Sequence, residues 1–179
     1  MELLKIETER LFLREMNEDD YDALYSVLGD PENMQHYSYS FDEKRVRAWI
    51  ERNIKRYRVF GFGLWAVCLK ETGEMIGDCG LTMQNINGTI CPELGYHIRR
   101  DCHRKGYAAE VAAAACDWAF ENTPFGEIYS YMKGTNEASA KTAMAYGCRL
   151  TDEYENEDNE TIKVFRITKE EWKKKGTKQ

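Results

Sequence analysis

The spacing of hydrophobic residues changes near the middle of the chain, and this change restricts the possible folds more than any other feature. From Gly63 to Ile98 the pattern is that of short strands separated by turn sequences, and from about Lys105 to Glu121 an Ala-rich run has helical spacing. The predicted strands of the first stretch cover residues 64–69, 75–83 and 93–98, with turns at 71–74 and 85–88. An antiparallel meander that leads into a helix predicts helices packed on the faces of a sheet.

The remainder of the chain adds strands and helices of the same kind. Asn17 is an N-cap residue type in front of an amphipathic run, and a second amphipathic run follows Asp42. Thr168 and Glu171 form a capping-box pattern for a last short helix. Further strands are predicted at 10–14, 128–132, 149–154 and 161–167, and a further helix at 137–146. We therefore expect an α/β (α+β) fold, with a mixed, largely antiparallel central sheet of about seven strands flanked by helices. A single domain is expected over residues 1–179.

The composition excludes several classes of function. The chain is 42% hydrophobic and 31% charged, and no stretch approaches the roughly 18 apolar residues of a membrane span. Its N-terminus lacks the layout of a secretory signal, and its six cysteines form no Cys-x-x-Cys pair, so we expect a cytoplasmic protein with reduced thiols. The formal charge of −6 argues against a nucleic-acid surface and weakly favours a cationic small molecule or amine as partner.

A basic segment joins the last strand of the meander to the Ala-rich helix. It contains Arg99, Arg100, Arg104 and Lys105, and Gly106 precedes the helix. The first turn of a helix exposes unpaired backbone N–H groups and the positive end of the helix dipole, which together bind anions such as phosphate. Because glycine has no Cβ, it lets a phosphate oxygen approach the backbone. The segment is therefore either an anion site or an ordinary solvated turn.

The sequence of this segment resembles the pyrophosphate loop of the GNAT acetyltransferases. His103-Arg104-Lys105-Gly106-Tyr107-Ala108 is similar to the family pattern Gln/Arg-x-x-Gly-x-Gly/Ala, with His at the first position and Arg where Gly is common. Other similar segments follow in the family's order: Thr8-Glu9-Arg10-Leu11-Phe12-Leu13-Arg14, Glu93-Leu94-Gly95-Tyr96-His97-Ile98, and Asn136-Glu137-Ala138-Ser139 leading to Tyr146-Gly147-Cys148. Together they cover nearly the whole chain and resemble the ribosomal-protein N-acetyltransferase branch.

The resemblance implies a GNAT-like fold with acetyl-CoA as cosubstrate, bound between two splayed strands. Its pyrophosphate is expected on backbone N–H groups from about Arg104 to Ala109. Asn136 matches the family's coenzyme A-contacting Asn, and the alternative for this residue is an ordinary N-cap. No metal is expected, since His103 has no partner at ligand spacing. The implied cofactor-binding residues are Ile98, Arg99, Arg100, His103, Arg104, Lys105, Gly106, Tyr107, Ala108, Ala109, Asn136 and Ser139.

A catalytic base is also implied, because a protonated amine has no lone pair with which to attack a thioester. Glu93 matches the carboxylate that several family members use, and it is the expected general base, acting directly or through a water. Strand alternation places it on one face with Gly95 and His97, unless a bulge that is usual in the family disturbs the strand. Such a bulge would free a backbone N–H between Leu94 and Tyr96 for the oxyanion. The alternative for Glu93 is an acidic residue at the protein surface without a catalytic role. His97 is either an alternative base or a structural residue.

The group that protonates the departing thiolate is the least defined part of the resemblance. Many members use a Tyr at the position that is Ala143 in this chain. Ser139 matches a hydroxyl position proposed for this role in the ribosomal branch, and Tyr146, one turn beyond Ala143, is a second candidate. For both residues the alternative is packing or a helix hydrogen bond.

The function that the resemblance implies is N-acetyl transfer from acetyl-CoA to a primary amine, by direct attack through a tetrahedral intermediate. The acceptor is either a protein N-terminus or a small amine, and its pocket is expected between the two N-terminal helices, the loop at 36–41 and the final hairpin.

The alternative is a relative that binds coenzyme A or an acyl-CoA as a sensor or assembly module, and a phosphate- or nucleotide-binding protein is a third hypothesis. Exposed strand edges make a homodimer a further expectation; neither nucleic acid nor a membrane is an expected partner.

Overall fold

The structure is a computed structural model that describes residues 5–176. Residues 1–4, which carry the expectation about a secretory signal, and residues 177–179 lie outside this part. The strands are β1 (Lys5–Glu7), β2 (Leu11–Arg14), β3 (Leu64–Leu69), β4 (Met75–Ile86), β5 (Thr89–Ile98), β6 (Glu127–Lys133), β7 (Arg149–Glu155) and β8 (Thr161–Thr168). The helices are α1 (Tyr21–Leu28), α2 (Glu43–Phe60), α3 (Tyr107–Asn122), α4 (Glu137–Ala145) and α5 (Lys169–Gly176), with 3-10 turns at Glu18–Asp20 and Arg100–Cys102. No helix between residues 5 and 176 combines the length and the apolar character that crossing a bilayer requires.

The strands of the described residues form one eight-stranded sheet in the order β1-β2-β3-β4-β5-β6-β8-β7. Neighbouring strands are antiparallel except β5 and β6, which run parallel and pair at a single position, Glu93 opposite Tyr129. The expected mixed, largely antiparallel sheet flanked by helices is confirmed, with one strand more than predicted. The additional strand is β1, which has three residues and is too short to show an alternating pattern.

The long hairpin of β4 and β5 differs in detail from the sequence-based expectation. The strands pair without interruption up to a tight turn at Asn87-Gly88, whose φ values of 48° and 84° are those of a two-residue hairpin turn. The bulge expected in β5 is therefore absent from its ladder with β4. The irregularity lies on the other side of β4, where Ile76 is an extra residue between the pairs made by Val67 and Cys68.

The helices lie on both faces of the sheet. Trp49 of α2 donates from Nε1 to Asp78 of β4 at 2.8 Å, so α2 covers the face that carries Asp78 and its cross-strand neighbour His97. The hydroxyl of Tyr96 donates to the carbonyl oxygen of Ser139 on α4 at 2.8 Å. Because successive strand residues point to opposite faces, α4, with α3 packed beside it, covers the Tyr96 face.

Small residues bring α3 close to the sheet. Its buried side consists of Val111, Ala112, Ala115, Cys116, Ala119 and Phe120. Since alanine occupies little space between two backbones, the helix axis lies near β4 and β5, on which α3 packs. The N-terminus of α3 is thereby fixed beside the end of β5, where the basic segment of the sequence lies.

A buried polar contact fixes α2 to the sheet. The Tyr57 hydroxyl donates to the carbonyl oxygen of Leu64 at the start of β3 and accepts from the N–H of Met16 at 3.3 Å. Asn53, one turn earlier, accepts the N–H of Leu64 at 2.9 Å and donates to the carbonyl oxygen of Trp49 at 3.0 Å. Both side chains are buried, so these bonds set the position of α2 over the face that carries Asp78.

Replacing Tyr57 by Phe removes only the hydroxyl and leaves the buried N–H of Met16 without this acceptor. We expect the free energy of unfolding to fall by about 1 to 3 kcal/mol, the penalty for a buried polar group without a hydrogen bond. Urea denaturation followed by circular dichroism measures the change. The control is Tyr25→Phe on α1, whose side chain is 41% exposed and whose substitution is expected to change stability by less than about 0.5 kcal/mol. A Tyr57→Phe protein as stable as the control would show that the hydroxyl does not hold α2.

Candidate active site

The gap between β5 and β6 opens into a cleft of about 1240 Å³. The two strands pair only at Glu93 and Tyr129, and their following residues line the two walls. The remaining walls are the loop at 32–39, the near side of α2, and the first residues of α3 and α4. Because residues from both faces of the sheet line this cleft, a ligand on the α3–α4 side can meet a second ligand on the α2 side.

The segment between β5 and α3 is a compact loop with left-handed backbone positions. His103 follows the turn Arg100–Cys102, and its Nε2 lies 2.7 Å from the carbonyl oxygen of Ile98. Arg104 has a φ of 60°, a conformation that glycine adopts without strain, which accounts for the frequency of Gly at this position of the similar pattern. Gly106, with a φ of 79°, is the N-cap residue of α3 and has no side chain with which to cap the helix.

The first turn of α3 is open to the cleft. Tyr107, Ala108 and Ala109 form this turn and line the cleft, and amides of a first turn have no acceptor within their own helix. The two alanines leave room for a ligand, and the helix dipole adds positive partial charge. The uncapped turn therefore fits a pyrophosphate.

The basic residues before this turn are placed differently from one another. Arg99 pairs with Glu74 and Asp101, each at 2.7 Å, and does not line the cleft. Arg100 lines the cleft and pairs with Asp30 at 3.0 Å and with Glu32. Arg104 and Lys105 are both exposed. Arg104 lines the cleft, whereas Lys105 does not. The structure thus leaves Arg104 as the basic residue of the loop that faces the cleft without an acidic partner among residues 5–176.

Arg10 of the loop before β2 holds the base of this turn in place. Its Nη1 donates to the carbonyl oxygen of Lys105 at 2.8 Å, and its Nη2 pairs with Glu110 of α3 at 2.7 Å. The guanidinium also lies over the ring of Tyr107, 4.5 Å from its centre. Sequence reasoning missed Arg10 and Glu110, because residues a hundred positions apart give no local signal of their contact.

Asn136 and Ser139 lie together at the start of α4. The Oδ1 of Asn136 accepts the N–H of Ser139 at 3.1 Å, and both residues line the cleft. The Tyr96 hydroxyl lies 3.2 Å from Ser139 Oγ. Asn136 is therefore an N-cap that also faces the cleft, so the two interpretations of this residue are compatible.

Tyr146, in contrast, does not line the cleft. It is 4% exposed, and its hydroxyl lies 2.7 Å from Ser130 Oγ. Ser130 donates its single hydroxyl hydrogen to the carbonyl oxygen of Leu94 at 2.6 Å, so Tyr146 is the donor to Ser130. Burial raises the pKa of Tyr146 well above its ordinary value. The phenol thus supports the shape of the gap between β5 and β6.

Glu93 lies where β5 and β6 separate, and it lines the cleft. Its Oε2 accepts from Thr82 Oγ1 at 3.1 Å, and Thr82 Oγ1 in turn accepts from Gln84 Nε2 at 3.0 Å. A Cβ added at Gly95 would lie 3.2 Å from Glu93 Oε2. The two residues therefore share a face, and glycine leaves the carboxylate its space.

The Glu93 carboxyl group is poised to exchange a proton near neutral pH. Burial raises its pKa to about 7, and the hydrogen bond from Thr82 and the charges of His97 and Arg56 oppose this rise only in part. A group with a pKa close to the working pH is suited to accept a proton and to release it again. The geometry therefore gives Glu93 the properties of a general base.

His97 is held in a chain of hydrogen bonds on the same face. Its Nδ1 lies 2.7 Å from Asp78 Oδ1 and its Nε2 lies 2.6 Å from the Tyr37 hydroxyl, while the other Asp78 oxygen accepts from Trp49. An ionised carboxylate only accepts, so Nδ1 carries a hydrogen and the neutral ring accepts from Tyr37. Burial lowers the pKa of His97, but the charge and hydrogen bond of Asp78, with a contribution from Glu93, outweigh it and raise the pKa.

Asp78, which belongs to this series of hydrogen bonds, is recognisable in the sequence as an acidic residue within a strand of mostly small and apolar residues. Asp78 is 0% exposed and lies in a segment of β4, Met75–Thr82, whose other residues are also buried. A carboxylate in a fully buried strand needs partners, and here they are His97 and Trp49. An acid within an apolar run is therefore a signal of a buried polar network.

The described residues contain no grouping of three or more His, Cys, Asp or Glu side chains that could hold a metal ion. All six cysteines, which lie within residues 5–176, are free and buried. The polar side chains that line the cleft carry carboxyl, hydroxyl, imidazole, amide and guanidinium groups.

Comparison with known proteins identifies the family of the chain. The model of the acetyltransferase (GNAT) domain family matches residues 10–149. YkkB of Bacillus subtilis (strain 168) is 34% identical over 144 residues, which cover 80% of this chain and 84% of YkkB. The uncharacterized N-acetyltransferase p20 of Bacillus licheniformis is 29% identical over 165 residues, which cover 88% of this chain and 91% of p20.

Solved structures show the same fold. A GNAT-family acetyltransferase from Bacillus anthracis superposes with a TM-score of 0.81 at 20% identity, covering 93% of this chain and 99% of that one. RimL, named as a ribosomal L7/L12 alpha-N-protein acetyltransferase, superposes with a TM-score of 0.76 at 17% identity, covering 94% and 96%. The resemblance stated from the sequence is confirmed, and the fold is GNAT-like. The chain belongs to the GNAT acetyltransferase family.

Proposed function

We propose that this protein transfers an acetyl group from acetyl-CoA to a primary amine in the cytoplasm. The observation that carries the proposal is the Glu93 carboxyl group, which lies at the gap between β5 and β6 with a pKa of about 7. The name of p20 describes an N-acetyltransferase and that of RimL an alpha-N-protein acetyltransferase, which supports an amine as acceptor. Six free cysteines support a reducing compartment.

The residues of the loop and of α4 are proposed to hold the cosubstrate. Acetyl-CoA supplies the activated thioester, and its pyrophosphate is bound by the N–H groups of Tyr107, Ala108 and Ala109, with Arg104 adding charge. His103 positions the loop through the carbonyl oxygen of Ile98. The residues proposed to line the cosubstrate's path are Ile98, His103, Arg104, Gly106, Tyr107, Ala108, Ala109, Asn136 and Ser139, all of which line the cleft.

A backbone amide of β5 is proposed to stabilise the oxyanion. The carbonyl group of Leu94 is directed toward β6, because Ser130 donates to it. Alternate residues of a strand direct their N–H and C=O groups to the same side, so the N–H of Tyr96 is directed toward the gap as well. β5 and β6 no longer pair at this level, and the amide is free to bind the developing charge.

Proton transfer is assigned to Glu93. A lysine-like amine with a pKa of about 10.4 is mostly protonated at neutral pH and must lose a proton before it attacks. The ionised carboxylate takes that proton directly or through a water, and the Thr82 hydroxyl holds the carboxylate toward the cleft. His97 stays bonded to Asp78 and Tyr37 and shapes the acceptor side.

The departing thiolate is proposed to take its proton from Ser139. Its Oγ lies within the cleft and next to the Tyr96 hydroxyl, whereas Ala143 is buried in the core. Tyr146 reaches the cleft wall only through Ser130 and is proposed to position that residue. This division of roles leaves Ser139 as the proton donor and Tyr146 as a support.

Substitution of Glu93 by Gln tests the proposal. Gln keeps the size of the side chain and an acceptor for Thr82, but it cannot take a proton. With acetyl-CoA and an amine that the parent acetylates, we expect kcat/KM to fall by about 10² to 10⁴, the usual loss with a general base. Release of free coenzyme A measures the rate, and isothermal titration calorimetry with acetyl-CoA is expected to give the same affinity for both proteins.

Glu51→Gln is the matched control, because Glu51 is exposed on α2 and does not line the cleft. Its rate is expected to equal that of the parent. An unchanged rate in the Glu93→Gln protein would move the base elsewhere, with His97 first. Binding of acetyl-CoA without turnover across a broad amine panel would favour the sensor hypothesis, and equal displacement by ATP and by coenzyme A would favour a nucleotide-binding protein.

The pH profile of the parent gives a second prediction. Because the reactive form of Glu93 is the carboxylate, kcat/KM is expected to decrease as the pH falls through about 7, the pKa that burial gives this group. The titration of the amine itself, near about 10.4, is well separated from this step. Glu93→Gln is expected to lose the step near pH 7 and keep the one above it. A profile with the same lower step in both proteins would assign that step to another group.

Glu93 also predicts a dependence of stability on pH. Between the unfolded pKa of 4.5 and the folded pKa of about 7, the native state binds more protons at this group, so its contribution to stability falls as the pH rises. The Glu93→Gln protein lacks this pH-dependent loss of stability. Relative to the parent, its free energy of unfolding is therefore expected to increase by about 2 to 3 kcal/mol between pH 4.5 and pH 8. Urea denaturation of both proteins at these two pH values measures the gain. A constant difference would show that Glu93 is not desolvated.

A further inference from the structure

Two arginines of α2 face the acceptor side of the cleft. Trp49, Arg52 and Arg56 follow one another at spacings of three and four residues, which places them on one side of the helix, and all three line the cleft. The core-facing side of α2 is separate and consists of Val46, Ile50, Asn53 and Tyr57. The two arginines therefore line the α2 wall of the cleft that also contains Glu93, whose charge acts on Arg56.

Neither arginine has an acidic partner in the described part of the chain. Within residues 5–176, no carboxylate lies at ion-pair distance from Arg52 or Arg56. Arg52 lies near the ring of Trp49, 5.6 Å from its centre. Arg56 is half-buried and donates one hydrogen bond, from Nη1 to Oδ1 of Asn53 at 3.2 Å, where the acceptor is neutral and already accepts the N–H of Leu64. Most of the five donors of each guanidinium are thus available to a ligand.

The surroundings make this position unfavourable for Arg56 without a ligand. Burial and the nearby charge of Arg52 lower the pKa of Arg56, and Glu93 opposes this lowering only in part. Arg52 is exposed and Arg56 is half-buried, and two like charges placed in this way are stabilised when an anion binds between them.

The other cations that face this cleft are already satisfied or lie elsewhere. Arg100 pairs with Asp30 and Glu32, and Lys133 pairs with Glu160 at 2.8 Å. Arg104 lies at the opposite end, beside the first turn of α3. Within residues 5–176, Arg52 and Arg56 are therefore the basic residues on the α2 side of the cleft whose charge no carboxylate pairs with.

We propose that Arg52 and Arg56 bind a carboxylate of the acceptor, so that the substrate class is a small primary amine that carries a carboxylate group. This inference rests on the proposed function, because it places the amine of the same molecule at Glu93. A bidentate guanidinium–carboxylate pair at Arg56 would fix the distance between the carboxylate and the reacting amine.

A small acceptor is favoured over a peptide by the loop at 32–39. This loop is fastened over the cleft at two points, by the Arg100 pair with Glu32 and by the hydrogen bond from Tyr37 to His97. Aromatic rings of Tyr37, Tyr39 and Trp49 complete the wall around the two arginines. The loop held in this way places apolar ring surface beside the two arginines, which suits a compact molecule whose methylene groups contact the rings.

The test compares 5-aminopentanoate with pentylamine as acceptors for acetyl-CoA. The two molecules differ only in the carboxylate, and since several methylenes separate it from the amine, the amine pKa values are close. The parent is expected to prefer 5-aminopentanoate by roughly 10- to 100-fold in kcat/KM, the effect of charge-assisted hydrogen bonds. Arg56→Gln is expected to remove most of this preference through KM, and Arg52→Gln a smaller part. A series from 3-aminopropanoate to 6-aminohexanoate locates the preferred spacing.

Arg58→Gln is the control, because Arg58 is exposed on the same helix and does not line the cleft. It is expected to keep the preference of the parent. Equal use of the two probes by the parent, or an equal loss for both in Arg56→Gln, would overturn the inference while the acetyltransferase proposal stands. Acetylation of a peptide with an acidic second residue, together with no use of the small probes, would overturn the small-molecule class.

A binding measurement separates this inference from the proposed function. In the presence of coenzyme A, calorimetric titration with 5-aminopentanoate is expected to show binding that pentylamine does not show and that Arg56→Gln weakens by roughly 10-fold or more. Binding of this kind without any release of coenzyme A from acetyl-CoA would contradict the proposed function and leave the carboxylate site supported. Equal binding of the two probes would overturn the carboxylate site.

Discussion

The architecture of the site depends on the separation of β5 and β6 after a single parallel pair at Glu93 and Tyr129. Two strands that part inside a sheet leave edge N–H and C=O groups that must find other partners. The protein satisfies one of them itself, since Ser130 donates to the Leu94 carbonyl and Tyr146 donates to Ser130. Beyond this bridge, a ligand that carries amide groups can take the place of the missing strand neighbour, which suits the amide-containing arm of coenzyme A under the proposed function. The same gap joins the two faces of the sheet, so an amine on one face can reach a thioester on the other.

The desolvation that would suit Glu93 to the proposed role of general base is unfavourable for folding. Burial raises the pKa of the carboxyl group to about 7, so the group is in part neutral at pH 7. A direct ion pair would have lowered its pKa and stabilised the fold, but a carboxylate held in this way is a weak base. The protein instead gives it one hydroxyl donor, Thr82, whose own position is fixed by Gln84. The acidic group that does receive strong partners on this face is Asp78, which is bonded to His97 and Trp49 and fixes the acceptor wall.

The parts of the fold that could be predicted from the sequence are those with a local pattern. The short strand-like runs and turns of residues 63–98 predicted the sheet, and the small residues of α3 predicted the helix. The basic segment between them predicted a loop that the structure places beside the cleft. The sequence could not show which residues would pair. Arg99 and Arg100 look like phosphate ligands in a basic run, but acidic residues at 74, 101, 30 and 32 bind them. Tyr146 looks like an acid on the last helix of the motif, yet its hydroxyl points into the core toward Ser130. Arg10 gave no signal, because its contacts with the α3 loop join positions about 95 residues apart.

The net charge of the chain does not predict which charges surround the cleft. A formal charge of −6 weakly favours encounter with a cationic small molecule or amine. The structure shows where many of the acidic residues lie: they form ion pairs with Arg99, Arg100, Lys133 and Arg10 at the surface and around the loops. Among residues 5–176, the arginines that remain without such partners on the α2 side of the cleft are Arg52 and Arg56, and the nearby Glu93 carboxyl group is itself partly neutral. The net charge of the whole chain therefore does not predict which charges lie at the α2 side of the cleft, because charges act mainly over a few ångströms and more distant ones are screened.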